Sequence, residues 1–212
     1  MPIPQGLLHV LTVLWRKHYN FSILPSFPTF SLGMQTDTIH SQAKNSATIH
    51  PKKAPFNPMK IIPVTKTNSH IYHNLIQCYE AEFSPITGKK PNDSGLFELD
   101  THIGDKTLGF LLMIDNTPAG IAAIQCKEAQ AYEVCEFYVI PYFRKNGIGM
   151  DFAHTIWKNH PGDWEIKQIQ GAQYATTFWR KTIKCFIETE YSEECYDDPY
   201  WGIVTRQTFT VN

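Results

Sequence analysis

From Glu133 to Trp157 the chain switches periodicity across a short basic turn. Val134, Phe137, Tyr138, Val139 and Ile140 are β-branched or aromatic and read as a strand, which Pro141 stops because it has no N–H for the ladder. Ile148, Phe152 and Ile156, with Ala153 and Trp157 beside them, then recur at helical spacing until Asn159-His160-Pro161-Gly162. Between the two lies Arg144-Lys145-Asn146-Gly147-Ile148-Gly149. A strand, a turn with two glycines and a helix start bring main-chain N–H groups and the positive helix end to one point, where an anion such as phosphate is stabilised. Glycine allows close main-chain approach, and Arg144 can add charge-assisted hydrogen bonds. An ordinary strand-turn-helix link has the same outline.

The spacing excludes other phosphate loops. A P-loop would close with Gly-Lys-Ser/Thr, and a dinucleotide fingerprint would need a third glycine where Phe152 stands. Arg144-x-x-Gly147-x-Gly149, preceded by Val139-x-Pro141, resembles the pyrophosphate-binding motif of the GNAT superfamily of acetyl-CoA-dependent N-acetyltransferases. A second stretch, Gly162-Asp-Trp164-Glu-Ile and then Ala175-Thr-Thr-Phe178-Trp179, is similar to a branch of that superfamily with a Phe-Trp pair in its fourth helix.

The order of elements extends the likeness from about Lys60 to Phe209. A short strand at Lys60 to Val64 leads to a helix capped by Asn68 or Ser69. Its stripe is Ile71, Leu75, Ile76, Tyr79 and Phe83, and Pro85 with Gly88 closes it. Residues 84 to 106 form a long polar connection, either a substrate-facing lid or a plain surface loop. Thr107 to Ile114, the turn Asp115 to Pro118 and Gly120 to Lys127 read as a hairpin whose second arm leads into the Glu133 strand. Trp164 to Ile169 supplies a strand parallel to it through a crossover helix. Ala172 to Ile183 is helical, and the segments through Phe186-Ile187 and Trp201 to Val211 read as two closing strands. The acids between them, Glu188, Glu190, Glu193, Glu194, Asp197 and Asp198, form a solvated hairpin loop or a cation-attracting rim. The fold class is therefore α/β of the α+β kind: a mixed, mostly antiparallel sheet flanked by helices, with a splayed parallel strand pair at the cofactor site.

The resemblance implies acetyl-CoA as co-substrate, lying in a V between the strands that end at Val139 and Ile169. Its pantetheine would pair with the main chain at Phe137, Tyr138 and Val139, and its pyrophosphate would sit on Arg144, Lys145, Asn146, Gly147, Ile148 and Gly149. Transfer in this superfamily is direct, so a neutral amine must be delivered. At pH 7 an amine of pKa about 10.4 gives up its proton at a cost of roughly 4.6 kcal/mol, which a general base offsets. Glu133 and Glu136 are the candidates, and strand alternation puts them on opposite faces; the resemblance favours Glu133, eleven residues before Arg144, the offset at which some histone-acetylating relatives carry their base. Relatives place an acid tyrosine where Trp179 stands and an asparagine where Ala172 stands. Trp179 reads as core, so Tyr174 or Tyr142 substitutes, or the thiolate leaves unaided.

Composition narrows the rest. A formal net charge of -1 provides no basic field for nucleic acid, and no apolar run reaches the ~18 residues that span a bilayer. Five cysteines without a C-x-x-C pair point to a reducing, cytoplasmic setting. His70 and His73 stand at ligand spacing without a third ligand, so no metal is expected. The acceptor is a small-molecule or protein amine, no membrane partner is indicated, and a homodimer is left open. A non-catalytic acyl-CoA-binding module is the alternative that Ala172 and Trp179 motivate. Residues 1–58 hold one acid, Asp37, and are a disordered extension, sequence upstream of a start at Met59, or a targeting presequence; residues 59–212 form the domain. A chain begun at Met59 should keep the full-length chain's unfolding midpoint in urea and its acetyl-CoA affinity; loss of either would show that residues 1–58 belong to the folded unit.

Overall fold

The computed structural model describes residues 59–212; the expectations for residues 1–58 lie outside them. Among the described residues, seven strands make one sheet: β1 (Lys60–Pro63), β2 (Thr107–Ile114), β3 (Thr117–Cys126), β4 (Ala131–Val139), β5 (Gly162–Ile169), β6 (Ser192–Asp198) and β7 (Gly202–Val211). The helices are α1 (Ser69–Thr87), α2 (Ile148–Asn159) and α3 (Gln173–Lys184). Strand order is β1-β2-β3-β4-β5-β7-β6, antiparallel throughout except for β4 with β5. The mixed, mostly antiparallel sheet with a parallel pair is the arrangement expected from the sequence.

Two apolar clusters, one on each face, bury the sheet. Beneath α2 and α3, Phe152, Ile156, Trp157, Trp179 and Ile183 pack on Ile124, Val134, Trp164 and Phe209. Under α1, Tyr72 and Ile76 meet Leu111, Ile121, Ala123 and Tyr138. The buried line of α1 is Tyr72, Ile76 and Glu80, rotated slightly from the expected stripe, which is partly buried alongside.

Four boundaries differ from the sequence reading, each for a local reason. Helix α1 runs through Pro85 to Thr87, because the Ala81 carbonyl deprived of the Pro85 amide accepts the Ser84 hydroxyl at 2.9 Å. Gly88, at φ +71°, then ends it in the left-handed region. The β2–β3 turn is two residues, Asp115 and Asn116 at φ +51° and +60°, the pair of positive dihedrals that a tight hairpin requires. Phe186 and Ile187 are not a strand; both amides bond to the Ile183 carbonyl in a turn after α3. The acidic run is largely β6, an edge strand, with Glu193 paired to Arg180 and Glu194 to Arg206. Charges on an edge discourage pairing with another chain.

Phe152 is fully buried between α2 and the sheet. Phe152→Ala should cost about 3–5 kcal/mol in urea unfolding; a loss below about 1 kcal/mol would mean that α2 is not seated there.

Candidate functional site

Strands β4 and β5 are zipped over only part of their length. The parallel register runs from Ala131 opposite Asp163 to Val134 opposite Ile166 and then stops. Beyond it, Glu136 to Val139 pair with β3 alone, and Lys167 to Ile169 with β7 alone. The cause lies in β4. Val134 faces Ile124 and Glu136 faces Ala123, so Cys135 is an extra residue, a bulge that bends the strand where the two part. The result is a wedge whose β4 wall is a one-sided main-chain edge.

The wedge opens towards the loop that the sequence singled out. A single 3-10 turn, Pro141–Phe143, follows β4; Lys145 and Gly147 then take left-handed conformations at φ +77° and +78°, and α2 begins. Among the described residues, the amides from Lys145 to Met150 have no hydrogen-bond acceptor, and the first helical bond is Asp151 N to Gly147 O at 3.0 Å. A row of free donors at a helix start suits an anion. Gly149 also has a packing role: a Cβ there would lie 3.2 Å from the Phe178 ring, so this glycine lets α2 approach α3.

The side chain of Arg144 is engaged on β4 and α1. Its Nε donates to the Val139 carbonyl at 2.6 Å, its two terminal nitrogens donate to the Glu82 carboxylate at 2.8 and 2.7 Å, and it lies over the Tyr138 ring.

The two carboxylates fare differently. The bulge corrects the expectation that Glu133 and Glu136 face opposite ways: Glu133 stands opposite Gln125 and Glu136 opposite Ala123, two residues apart on β3, so both point to the α1 face. Glu133 lies in the zipped part opposite Glu165, held by Lys127 at 2.6 Å and Lys167 at 3.1 Å. Glu136 is past the parting point and 4% exposed. Its Oε1 accepts from the Thr101 hydroxyl at 3.0 Å, and its buried Oε2 has no partner. Burial pushes its pKa up to about 7, against the Tyr79 and Thr101 hydroxyls, which favour the carboxylate. Next to it, burial and the Glu133 charge push the Cys135 thiol up to about 11, which leaves no thiolate to act as a nucleophile at neutral pH.

Around Glu136 lie groups that the sequence reading passed over. Tyr72 and Glu80 are buried on α1 with an oxygen each unpartnered, and Glu80 holds Lys89, which also reaches Asp100. A glutamate four residues after Ile76, on an apolar stripe, was the available signal. The connection after α1 is stapled down: Gln77 bonds both main-chain groups of Phe97, and Thr101 covers Glu136.

The main chain of Phe137, Tyr138 and Val139 lies past the parting point of β4, with the Val139 carbonyl taken by Arg144. The Phe137 side chain packs against Phe152, Phe178 and Trp179 on one face, and Tyr138 against Tyr79 on the other. Trp179 is core, 5% exposed, and Ala172 is buried at the start of α3. Tyr174, in the first turn of α3, is 92% exposed, and Tyr142 is also exposed. Of the acids, only Asp197 and Asp198 sit at the β6–β7 tip, the end of the sheet where β5 finishes; Glu188 and Glu190 follow α3. His70 and His73 are exposed on α1, and His73 bonds to the Ser69 carbonyl.

Because burial raises the Glu136 pKa above its unfolded value, this group's contribution to stability is fully present below about pH 4.5 and is lost as pH rises through about 7. Its size is about 3 kcal/mol. Glu136→Gln should flatten the urea-derived stability profile between those pH values; an unchanged profile would show that the carboxyl is not desolvated.

No family profile matches the chain, and no curated protein matches it in sequence. Solved structures do. An acetyltransferase from Thermus thermophilus superposes with a TM-score of 0.53 at 12% identity, over 72% of this chain and 97% of that one. A Klebsiella pneumoniae protein assigned as an acyl-CoA N-acyltransferase gives 0.51 at 13%, over 73% and 98%. A GNAT-family protein from Bacteroides thetaiotaomicron, assigned as an acetyltransferase, gives 0.50 at 13%, over 72% and 88%. Likeness at these identities is likeness of architecture, and the described part of the chain has the GNAT acetyltransferase fold.

Proposed function

We propose that this chain is an acetyltransferase that moves an acetyl group from acetyl-CoA to a primary amine of a small molecule or a protein. The observation that carries the reading is the parting of β4 from β5 after Val134 and Ile166, beside the unbonded amides of Lys145 to Met150. An extended chain of amides fits a one-sided strand edge as an added strand would, and a diphosphate fits free N–H groups at a helix start. Acetyl-CoA supplies an activated thioester. The open edge at Phe137, Tyr138 and Val139 orients its pantetheine, and the loop Arg144–Gly149 takes the diphosphate through the amides of Lys145, Asn146, Gly147, Ile148 and Gly149.

Glu136 is the general base in this reading. Glu133 is paired with two lysines, whereas Glu136 has only the Tyr79 and Thr101 hydroxyls beside it and its pKa is pushed up to about 7, where a base is most effective. It takes a proton from the acceptor ammonium; the neutral amine nitrogen then bonds to the acetyl carbon as the carbon–sulfur bond breaks. The second proton of that nitrogen passes, through Tyr174 or water, to the departing thiolate, leaving the amide and the free thiol. The five thiols are all unpaired, which fits a cytoplasmic setting. A second reading, a non-catalytic acyl-CoA-binding module, draws on Ala172 and on the core position of Trp179.

Calorimetry and thiol release decide between them. The full chain should bind acetyl-CoA, and Gly147→Asp should weaken it at least tenfold by setting a carboxylate among the amides, while leaving acetylpantetheine, which lacks the diphosphate, unaffected. Absence of wild-type binding would overturn both readings. Thiol release over an amine library should fall about 10²–10⁴-fold in Glu136→Gln and little in Glu133→Gln, and wild-type kcat/KM should rise with pH through about 7. Binding without turnover of any amine would select the second reading.

A further inference from the structure

We propose that Glu82 and Arg144 form a positioning clamp for the acceptor side of the wedge, and that the diphosphate is held by main chain without the Arg144 guanidinium. The inference rests on the reading of the wedge as the coenzyme site, and concerns which groups serve which substrate. Arg144 offers a planar fork of donors, and all three nitrogens are engaged: one on the last carbonyl of β4 and two, in bidentate fashion, on Glu82. The cation also rests on Tyr138, whose ring faces α1 and meets Tyr79 one turn before Glu82. Serving a phosphate would mean breaking this set and leaving Glu82 without its partner.

The same end of α1 touches the other wall of the wedge. Ile86, one turn beyond Glu82, packs on Gly171 just after β5, where a Cβ would lie 3.2 Å from the Ile86 side chain. The last two turns of α1 therefore reach the ends of both strands that bound the wedge, from the face opposite α2 and α3. Glu136 points to this face, beneath Tyr79 and Thr101. Where α1 stands decides where an amine can meet Glu136, and the bidentate Glu82–Arg144 pair is a polar tie that sets the end of α1 on the β4 side. Neither residue touches a reacting atom; both act by placing α1 and the connection stapled to it.

Glu82→Ala separates the clamp from a phosphate role, because alanine keeps the helix while it frees Arg144. In the full chain without ligand, amide exchange followed by mass spectrometry should speed up at least tenfold across residues 80–101. The Kd for acetyl-CoA should stay within twofold, and the acceptor KM should rise at least fivefold with kcat changed less. Glu82→Asp, which retains the carboxylate, should restore all three to within threefold of wild type, and Arg144→Gln should copy Glu82→Ala. Tighter acetyl-CoA binding by fivefold or more in Glu82→Ala, or tenfold weaker binding in Arg144→Gln, would overturn the proposal in favour of a phosphate ligand that Glu82 holds back. Unchanged exchange in Glu82→Ala would overturn it outright. If wild type fails to bind acetyl-CoA, the coenzyme reading falls, and the exchange measurement still decides whether the clamp exists.

Discussion

One inserted residue organises the molecule. Cys135 has no partner on β3, so β4 bends there and cannot follow β5 further than Val134. A parallel pair that stayed zipped would satisfy its own main chain and leave no edge for a ligand. The bulge also resets side-chain alternation and brings Glu136 to the same face as Glu133. The space for a substrate and the direction of a carboxylate thus have one cause, a local change in how two strands are counted against each other.

Around that break, charge is sorted by solvent. In the zipped region Lys127, Glu133, Glu165, Lys167 and Arg206 form a network of alternating sign across β4, β5 and β7, mostly half-buried, where each ion keeps some water and has opposite partners. Exposed or half-exposed pairs of this kind contribute little each to stability and mainly keep the strands in register. One step past the break the carboxylate of Glu136 has lost both lysines and water, and its proton affinity rises accordingly. Two glutamates three residues apart end with different roles because one side of the bulge is paired and the other is open.

The elements themselves were legible. The periodicity change near Arg144, the Asp115-Asn116 turn and the apolar spacing of α2 and α3 all follow from local backbone preference and face-wise burial, and their bounds agree with the structure to within a few residues. The misses share a physical source. The acidic run read as a loop because acids disfavour strands, yet at a sheet edge their charges face water and arginines. The packing role of Gly149 was not legible because glycine in such a loop already has a local reason, and only the position of Phe178 supplies the second.

What the chain determined by itself was the order of strands and helices, the anion-ready loop and the shortlist of carboxylates, since each depends on residues close in sequence. The tertiary structure alone decided the register of β3 on β4, hence the bulge, the wedge and the facing of Glu136. It also decided that Arg144 reaches Glu82, 62 residues earlier, and that Thr101 covers Glu136 from 35 residues away. Such contacts are set by how whole elements pack, and no local preference encodes them.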